Sequence, residues 1–232
     1  MMIDWHSHIL PGMDDGSRNT AESLKLLEML SRQHVDTVIA TPHFSADHES
    51  LDDFLARRKR SYERLCSQLP KDAPKILLGA EIKYYPGLRQ HPDLHNLCIE
   101  GTNILLIEMP FGKWSEFVIG ELLKFARSSD LVIVLAHIER YLAFQDAKVL
   151  RRLYESGIMM QANATFFTRF TTKRKALTLL RDGGIHFLGS DCHNVMARPP
   201  LIGQAVQCIE KKLGADFVCQ MQEYGESMLL VK

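Results

Sequence analysis

The sequence predicts an α/β protein, a distorted (β/α)7 TIM-like barrel, from three observations. Short apolar runs alternate with helical patterns along nearly all of the 232 residues, an order that favours parallel βαβ units. The runs end again and again in His, Asp or Glu. A ring of parallel strands brings all those C-terminal ends to one face, whereas an open doubly wound sheet gathers its ligands at one switch crevice. Barrels of this length commonly form one unit, so a single domain over 1–232 is expected.

The strand-like runs fall near 2–6, 35–41, 75–82, 103–109, 131–137, 158–163 and 186–192. Each is short, apolar and rich in Val, Ile and Leu, as strands buried on both faces should be. After the first run, 20–34 carries Leu24, Leu27 and Leu30 on one helical face, with Asn19 or Thr20 as N-cap. The stretch 51–69 follows the second, with Phe54, Leu55, Tyr62, Leu65 and Leu69 amid the basic run Arg57–Arg60. That run reads first as a solvated helix face and second as a partner-binding patch. Helices are also expected over 115–128, 146–155, 171–181, 201–213 and 215–221. No Pro/Gly-rich linker, low-complexity tract or repeat interrupts the order.

Composition narrows the class. Lys plus Arg equals Asp plus Glu at 28 each, so nothing in the charge points to nucleic acid or a membrane surface. No apolar run reaches the roughly 18–20 residues of a membrane span, and MMIDWHSH lacks the basic and apolar regions of an export signal. Five cysteines without framework spacing suit a reducing compartment. A cytoplasmic protein is expected.

Nine residues able to bind metal sit at the run ends: His6, His8, Asp15, His43, Glu81, Glu108, His137, Asp191 and His193. On an extended strand, residues i and i+2 face one way and i+1 the other. His6 and His8 would therefore share a side without Ser7, and Asp191 and His193 would share one without Cys192. Barrel closure would make the first and last strands neighbours. Each residue alone has a plainer reading. His43 could be a loop histidine, His137 a hydrogen-bonded core histidine, and Asp14 and Asp15 a turn or helix cap. Glu81 and Glu108 end apolar runs, where an unpaired carboxylate is costly; metal or a salt bridge to Arg140 would relieve it. Taken together on one face, the nine favour metal. Imidazoles and carboxylates without thiolate suit Mn, Fe or Zn, and nine ligands divide among three ions with Glu81 able to bridge. Such a pocket attracts a phosphate dianion.

The segments IDWHSHILPGMDDGS, VIATPHF, GAEI, LLIEMP, VLAHIERY and GSDCHNVMARPP resemble the PHP (polymerase and histidinol phosphatase) superfamily, most closely its bacterial CpsB/YwqE-type protein-tyrosine phosphatases. The resemblance covers essentially the whole chain. It implies the distorted barrel and a trinuclear, usually manganese, site that hydrolyses phosphotyrosine with a metal-activated hydroxide. By motif, His6, His8, Glu81 and Asp191 would hold one ion, Asp15, His43 and His193 a second, and Glu81, Glu108 and His137 a third. Arg140 and Arg198 would face the phosphate; otherwise Arg140 would pair with Glu108 or Glu139, and Arg198 would make a loop salt bridge. The implied partner is a tyrosine autokinase with a Tyr-rich tail that controls capsule or exopolysaccharide export. One segment departs from the pattern, QANATFF, which bears on how a tyrosine ring is received.

Three other readings compete. Cys192 and Arg198 have the C-x5-R spacing of metal-independent tyrosine phosphatases, but His-Asn-Val-Met-Ala lies between them where small residues would cradle phosphate. A PHP-like module could bind phosphotyrosine without catalysis; a lost ligand would mark it, and all nine are present. A phosphoesterase could instead take histidinol phosphate, a sugar phosphate or a nucleic-acid end.

Overall fold

The computed structural model describes residues 1–231. The apolar runs form nine strands, all paired in parallel: β1 (Ile3–Ser7), β2 (Thr37–Ala40), β3 (His43–Phe44), β4 (Lys75–Leu78), β5 (Glu81–Lys83), β6 (Ile104–Glu108), β7 (Val132–Leu135), β8 (Met159–Asn163) and β9 (Phe187–Gly189). One group runs β1-β2-β4, the other β3-β5-β6-β7-β8-β9. Two of the expected runs are broken. The 35–41 run stops before Pro42, which has no N–H to give a ladder, and resumes as β3. The 75–82 run divides at Gly79–Ala80 into β4 and β5. Backbone bonds bridge both gaps, from Gly79 N–H to Ala40 O at 2.9 Å and from Glu81 N–H to Pro42 O at 3.1 Å. The sheet curls until the ends of β1 and β9 meet, with Asp191 N–H donating to His6 O at 2.7 Å and His8 N–H to Cys192 O at 3.0 Å.

Helices α1 (Thr20–Ser31), α2 (Leu51–Cys66), α3 (Glu116–Ser128), α4 (Ala147–Glu155), α5 (Ala164–Thr168), α6 (Lys173–Arg181), α7 (Ile202–Leu213) and α8 (Ala215–Met228) connect and follow the strands. Their starts are capped as polar residues dictate: Asn19, Ser50 and Ser115 side chains accept from Glu22, Asp53 and Val118 N–H. The connection from β5 to β6 has only two short 3-10 turns. The sequence reading lacked α5, and α8 runs seven residues past the expected end at Met221.

Two apolar clusters hold this together. The larger packs helices on the sheet; Leu26, Leu27, Phe54 and Leu65 contribute side chains that are essentially inaccessible. The smaller fills the inside of the curl with Trp5, Ile39, Leu77, Leu106, Val134 and Phe187, the Trp5 and Phe187 rings stacking at 4.1 Å. α8 covers its end through Met228, while Gly225 sits so close that a Cβ there would lie 3.4 Å from Trp5 Nε1. The basic run on α2 is largely spent on structure. Arg57 bonds Glu49 and Met13 O, and Arg58 bonds Gly79 O and Asn96 O. No helix among the described residues is long and apolar enough to cross a membrane.

Candidate metal centre

All nine predicted residues converge where the strands end. His6 and His8 turn their Nε2 atoms to within 3.1 Å of each other, although strict alternation is not what brings them there. β1 gains a residue against β2 between Asp4 and Ser7, a bulge that re-aims the strand, and His8 lies beyond its end. Likewise Asp191 and His193 meet on a loop, not a strand, because β9 ends at Gly189 and Asp191 adopts φ +51°. Backbone geometry at His137 (φ +34°) is also left-handed. Non-glycine residues hold such conformations only where their surroundings over-determine them.

The donors surround shared points. Glu81 Oε2 lies 3.2 Å from His6 Nε2, 3.3 Å from His8 Nε2 and 3.0 Å from His43 Nδ1. Its Oε1 lies 2.9 Å from His137 Nε2, which is 3.2 Å from Glu108 Oε1. Asp15 Oδ1 lies 3.4 Å from His193 Nε2 and 3.5 Å from His43 Nε2. Asp191 Oδ1 approaches His6, His8 and His193 at 3.7, 3.5 and 3.6 Å. Register explains one of these meetings directly, since His43 pairs Glu81 across β3 and β5. Three overlapping sets offer ligand atoms close enough for an ion: His8, Asp15, His43 and His193; His6, His8 and Glu81; His43, Glu81 and Glu108.

The clustered carboxylates draw positive charge onto His8 and His137, while burial and the neighbouring His8 push the His193 pKa down to about 4. Burial pulls the His8 pKa down, but Asp14 and Glu81 outweigh it and hold the imidazole well above its usual range. His137 behaves alike: burial lowers it, but Glu108 and Glu81 outweigh that and raise it to about 9. Glu81 is held well below the carboxylate range by His6, His137 and His43 despite complete burial. Yet Glu81 Oε2, His137 Nδ1 and His193 Nε2 form no well-aligned hydrogen bond, although His43 Nδ1 stands 3.0 Å from Glu81 Oε2. Buried polar atoms left this way are costly. Oxygen and imidazole donors that converge with unspent lone pairs fit divalent cations.

A supporting layer escaped the sequence reading. Asp14, there only a turn or cap residue, accepts from His8 Nδ1 at 2.8 Å and from His43 N–H at 2.9 Å. It thereby fixes the ring that leaves Nε2 free, a recurrent arrangement at metal sites. Gln161 Oε1 accepts from His137 N–H at 2.7 Å and meets His6 Nδ1 at 3.1 Å. Asn163 Nδ2 donates to Asp191 Oδ2 at 2.7 Å. Asp14 follows an apolar-to-turn signal in GMDDGS and was visible as a carboxylate; Gln161 carried no signal. Two glycines make room. A Cβ at Gly16 would lie 2.4 Å from His8 Cβ, and one at Gly189 would lie 2.6 Å from His6 Cβ.

Arg140 and Arg198 both meet Asp191 Oδ2, at 2.5 and 2.8 Å. Arg140 reaches Glu108 only at 3.9 Å, and Arg198 reaches Asp15 at 3.9 Å. They line a cleft of about 460 Å³ with Asn163, Thr165, Arg169 and Asp191. On the other side Phe111 is 58% exposed, its ring stacked 6.1 Å from His137 and 5.8 Å from the Arg140 guanidinium.

The cysteine reading fails on geometry. Cys192 is fully buried, and that burial with Asp4 and Asp191 nearby pushes its thiol well above the ordinary range. The N–H groups of Met196, Ala197 and Arg198, which would have to cradle a phosphate, donate to Asn194 Oδ1.

A family model described as capsular polysaccharide synthesis, CpsB/CapC, matches residues 2–230. The chain is 32% identical to the tyrosine-protein phosphatase YwqE of Bacillus subtilis over 237 residues, covering 98% of this chain and 91% of that one. It is 30% identical to the tyrosine-protein phosphatase CpsB of Streptococcus agalactiae over 241 residues, covering 95% and 94%. A crystal structure from work on YwqE of B. subtilis and CpsB of Streptococcus pneumoniae, described as metal-dependent tyrosine phosphatases, superposes with a TM-score of 0.84. Identity there is 27%, and the match covers 100% of this chain and 96% of that one. A further structure from Listeria monocytogenes, at 14% identity and a TM-score of 0.50, shares the fold.

Proposed function

The chain belongs to the CpsB/CapC family of capsular polysaccharide synthesis, and on that premise we propose that it is a metal-dependent protein-tyrosine phosphatase built on a (β/α)7 barrel. The curled parallel sheet supports the barrel: β2 with β3 and β4 with β5 each read as one interrupted stave, giving seven. A core that runs from Met2 to Val218 supports reading 1–232 as one domain.

The observation that carries the function is nine convergent donors beside two arginines. His6, His8, Glu81 and Asp191 would hold one ion, Asp15, His43 and His193 a second, and Glu81, Glu108 and His137 a third; manganese suits the donors, as do iron and zinc. Divalent ions there would acidify a water and neutralise phosphate oxygens. The chain supplies the rest. Glu81 and Asp191 set the spacing of the donors, while Asp14 and Gln161 hold the His8 and His6 rings. Arg140 and Arg198, each now sharing Asp191 Oδ2, offer their remaining N–H groups to the phosphoryl oxygens as charge shifts in the transition state. A tyrosyl leaving group, with a phenol pKa of about 10, departs more easily than an alkoxide. Phe111, exposed beside His137 and Arg140, gives its ring an apolar face, and the divergent QANATFF segment lines the cleft through Asn163, Thr165 and Phe166.

The substrate would be a phosphorylated tyrosine autokinase of capsule or exopolysaccharide export, met in the cytoplasm. The experiment is a substrate panel with manganese present: phosphotyrosyl peptide, histidinol phosphate and single-stranded DNA. Phosphotyrosyl peptide should turn over at least about tenfold faster in kcat/KM than the others. Preference for histidinol phosphate would move the chain to small phosphomonoesters, and binding of the peptide without turnover would make it a recognition module.

A further inference from the structure

The molecule as a whole is electrically balanced, but one surface is not. An open groove of about 870 Å³ runs between α6 and α7. Its floor is apolar, formed by Phe167, Leu177 and Leu213, and its walls carry Lys173, Arg174, Arg181, Lys211 and Lys212 with no carboxylate among the lining residues. Of these five cations only Arg181 has an acid partner, Asp182 at 2.9 Å, among the described residues. The groove borders the cleft of Arg140, Arg198 and Asp191 at Thr168, which lines both. Next to Thr168 stands Arg169, exposed and without an acid partner among the described residues, on the wall of the cleft that also holds Arg140 and Arg198. Basic residues therefore stand on both sides of Thr168: Arg140, Arg169 and Arg198 in the cleft, and the α6 and α7 cations in the groove.

We propose that this groove is an exosite that holds an acidic or multiply phosphorylated stretch of the same polypeptide whose phosphotyrosine occupies the metal cleft. The proposal rests on the tyrosine-phosphatase reading. A lone phosphate ester needs only the cleft. Unpaired cations ranged along a concave path beyond it serve an extended anion, and an apolar floor between them accommodates the backbone and side chains of a peptide. The shared border with the cleft points to more of the substrate chain as that anion. The basic run on α2, which the sequence offered as the patch for such a tail, has two of its four side chains tied into the fold. The cations that line a groove without an acid partner among the described residues are on α6 and α7.

The test measures binding to the manganese-loaded enzyme by fluorescence anisotropy, with peptides that carry a non-hydrolysable difluorophosphonate in place of the scissile phosphate. One peptide has neutral flanks; a second adds glutamates, and a third adds further phosphonates. The extended peptides should bind about tenfold tighter than the neutral one, an advantage that fades as salt screens it. In K211E/K212E, and separately in R174E, that advantage should shrink toward one. Tighter binding of the third peptide than the second would assign the groove to phosphates, and equal binding to negative charge in general. Equal affinity of all three peptides for the wild-type enzyme would overturn the proposal, as would an advantage that survives both variants. Lysine-dependent binding of phosphatidylserine vesicles without peptide preference would give the groove to a membrane surface and also overturn it. Turnover of the corresponding phosphotyrosyl peptides separates the two readings. Preference in binding without any hydrolysis would sink the enzyme reading alone; hydrolysis without preference would sink the exosite alone.

Discussion

Most residues of the site have two jobs, and their partners decide which matters. His8 offers Nε2 to the centre only because Asp14 takes Nδ1. Asp14→Ala should therefore lower activity by about 10- to 100-fold and weaken manganese binding to a similar degree. Atomic absorption of the purified variant, read beside its kcat, checks this; full metal content with lost activity would give Asp14 a different part. Phe111 is a separate case, exposed and bonded to nothing. Phe111→Ala should raise KM for phosphotyrosyl peptide by about threefold to tenfold while changing kcat little, as loss of an aromatic contact worth about 1 kcal/mol would. Equal losses on phosphotyrosyl and phosphoseryl peptides would deny it that role. The sequence showed the nine donors because His, Asp and Glu at the ends of apolar runs are expensive and hence conspicuous. It could not show Gln161 or Phe111, whose types are ordinary in a core or a loop. Their importance lies in distances of 2.7 Å to His137 N–H and 5.8 Å to Arg140, which depend on other strands.

Elements place those residues through local irregularities more than through regular structure. The β1 bulge, the break at Pro42, and the left-handed turns at His137 and Asp191 each redirect a side chain toward the centre. Periodicity sees regular segments and so recovered the strands and most helices, but it read 75–82 as one piece and drew His6 with His8 from an alternation that the bulge interrupts. Helix α5 was missed because five residues directly after a strand are too few to establish a 3.6-residue period. Close approach at β9 is a further exacting feature. Gly189→Ala would drive a Cβ to 2.6 Å from His6 Cβ and 2.7 Å from Gln161 Nε2. It should cost about 1–3 kcal/mol of stability from overpacking and disturb manganese binding, to be read by urea unfolding and metal content. A change under about 0.5 kcal/mol with full metal content would show that the strand ends can shift apart.

At the scale of the whole molecule, three buried polar atoms at the site without a well-aligned hydrogen bond make the metal-free state costly. Ions that bind only the folded chain should stabilise it by mass action, by about 3–4 kcal/mol at concentrations 100 to 1,000 times the dissociation constant. Calorimetry with manganese and with chelator should show Tm rising with metal; an unchanged Tm would mean that the donors do not share ions. The central claim is that catalysis depends on those ions and not on the buried thiol. It is tested most directly by hydrolysis of phosphotyrosyl peptide before chelation, after chelation and after manganese is restored, in the wild-type protein and in Cys192→Ser. Activity should vanish with chelator, return with manganese and be indifferent to the cysteine change. Activity that survives chelation and disappears with Cys192→Ser would contradict the account.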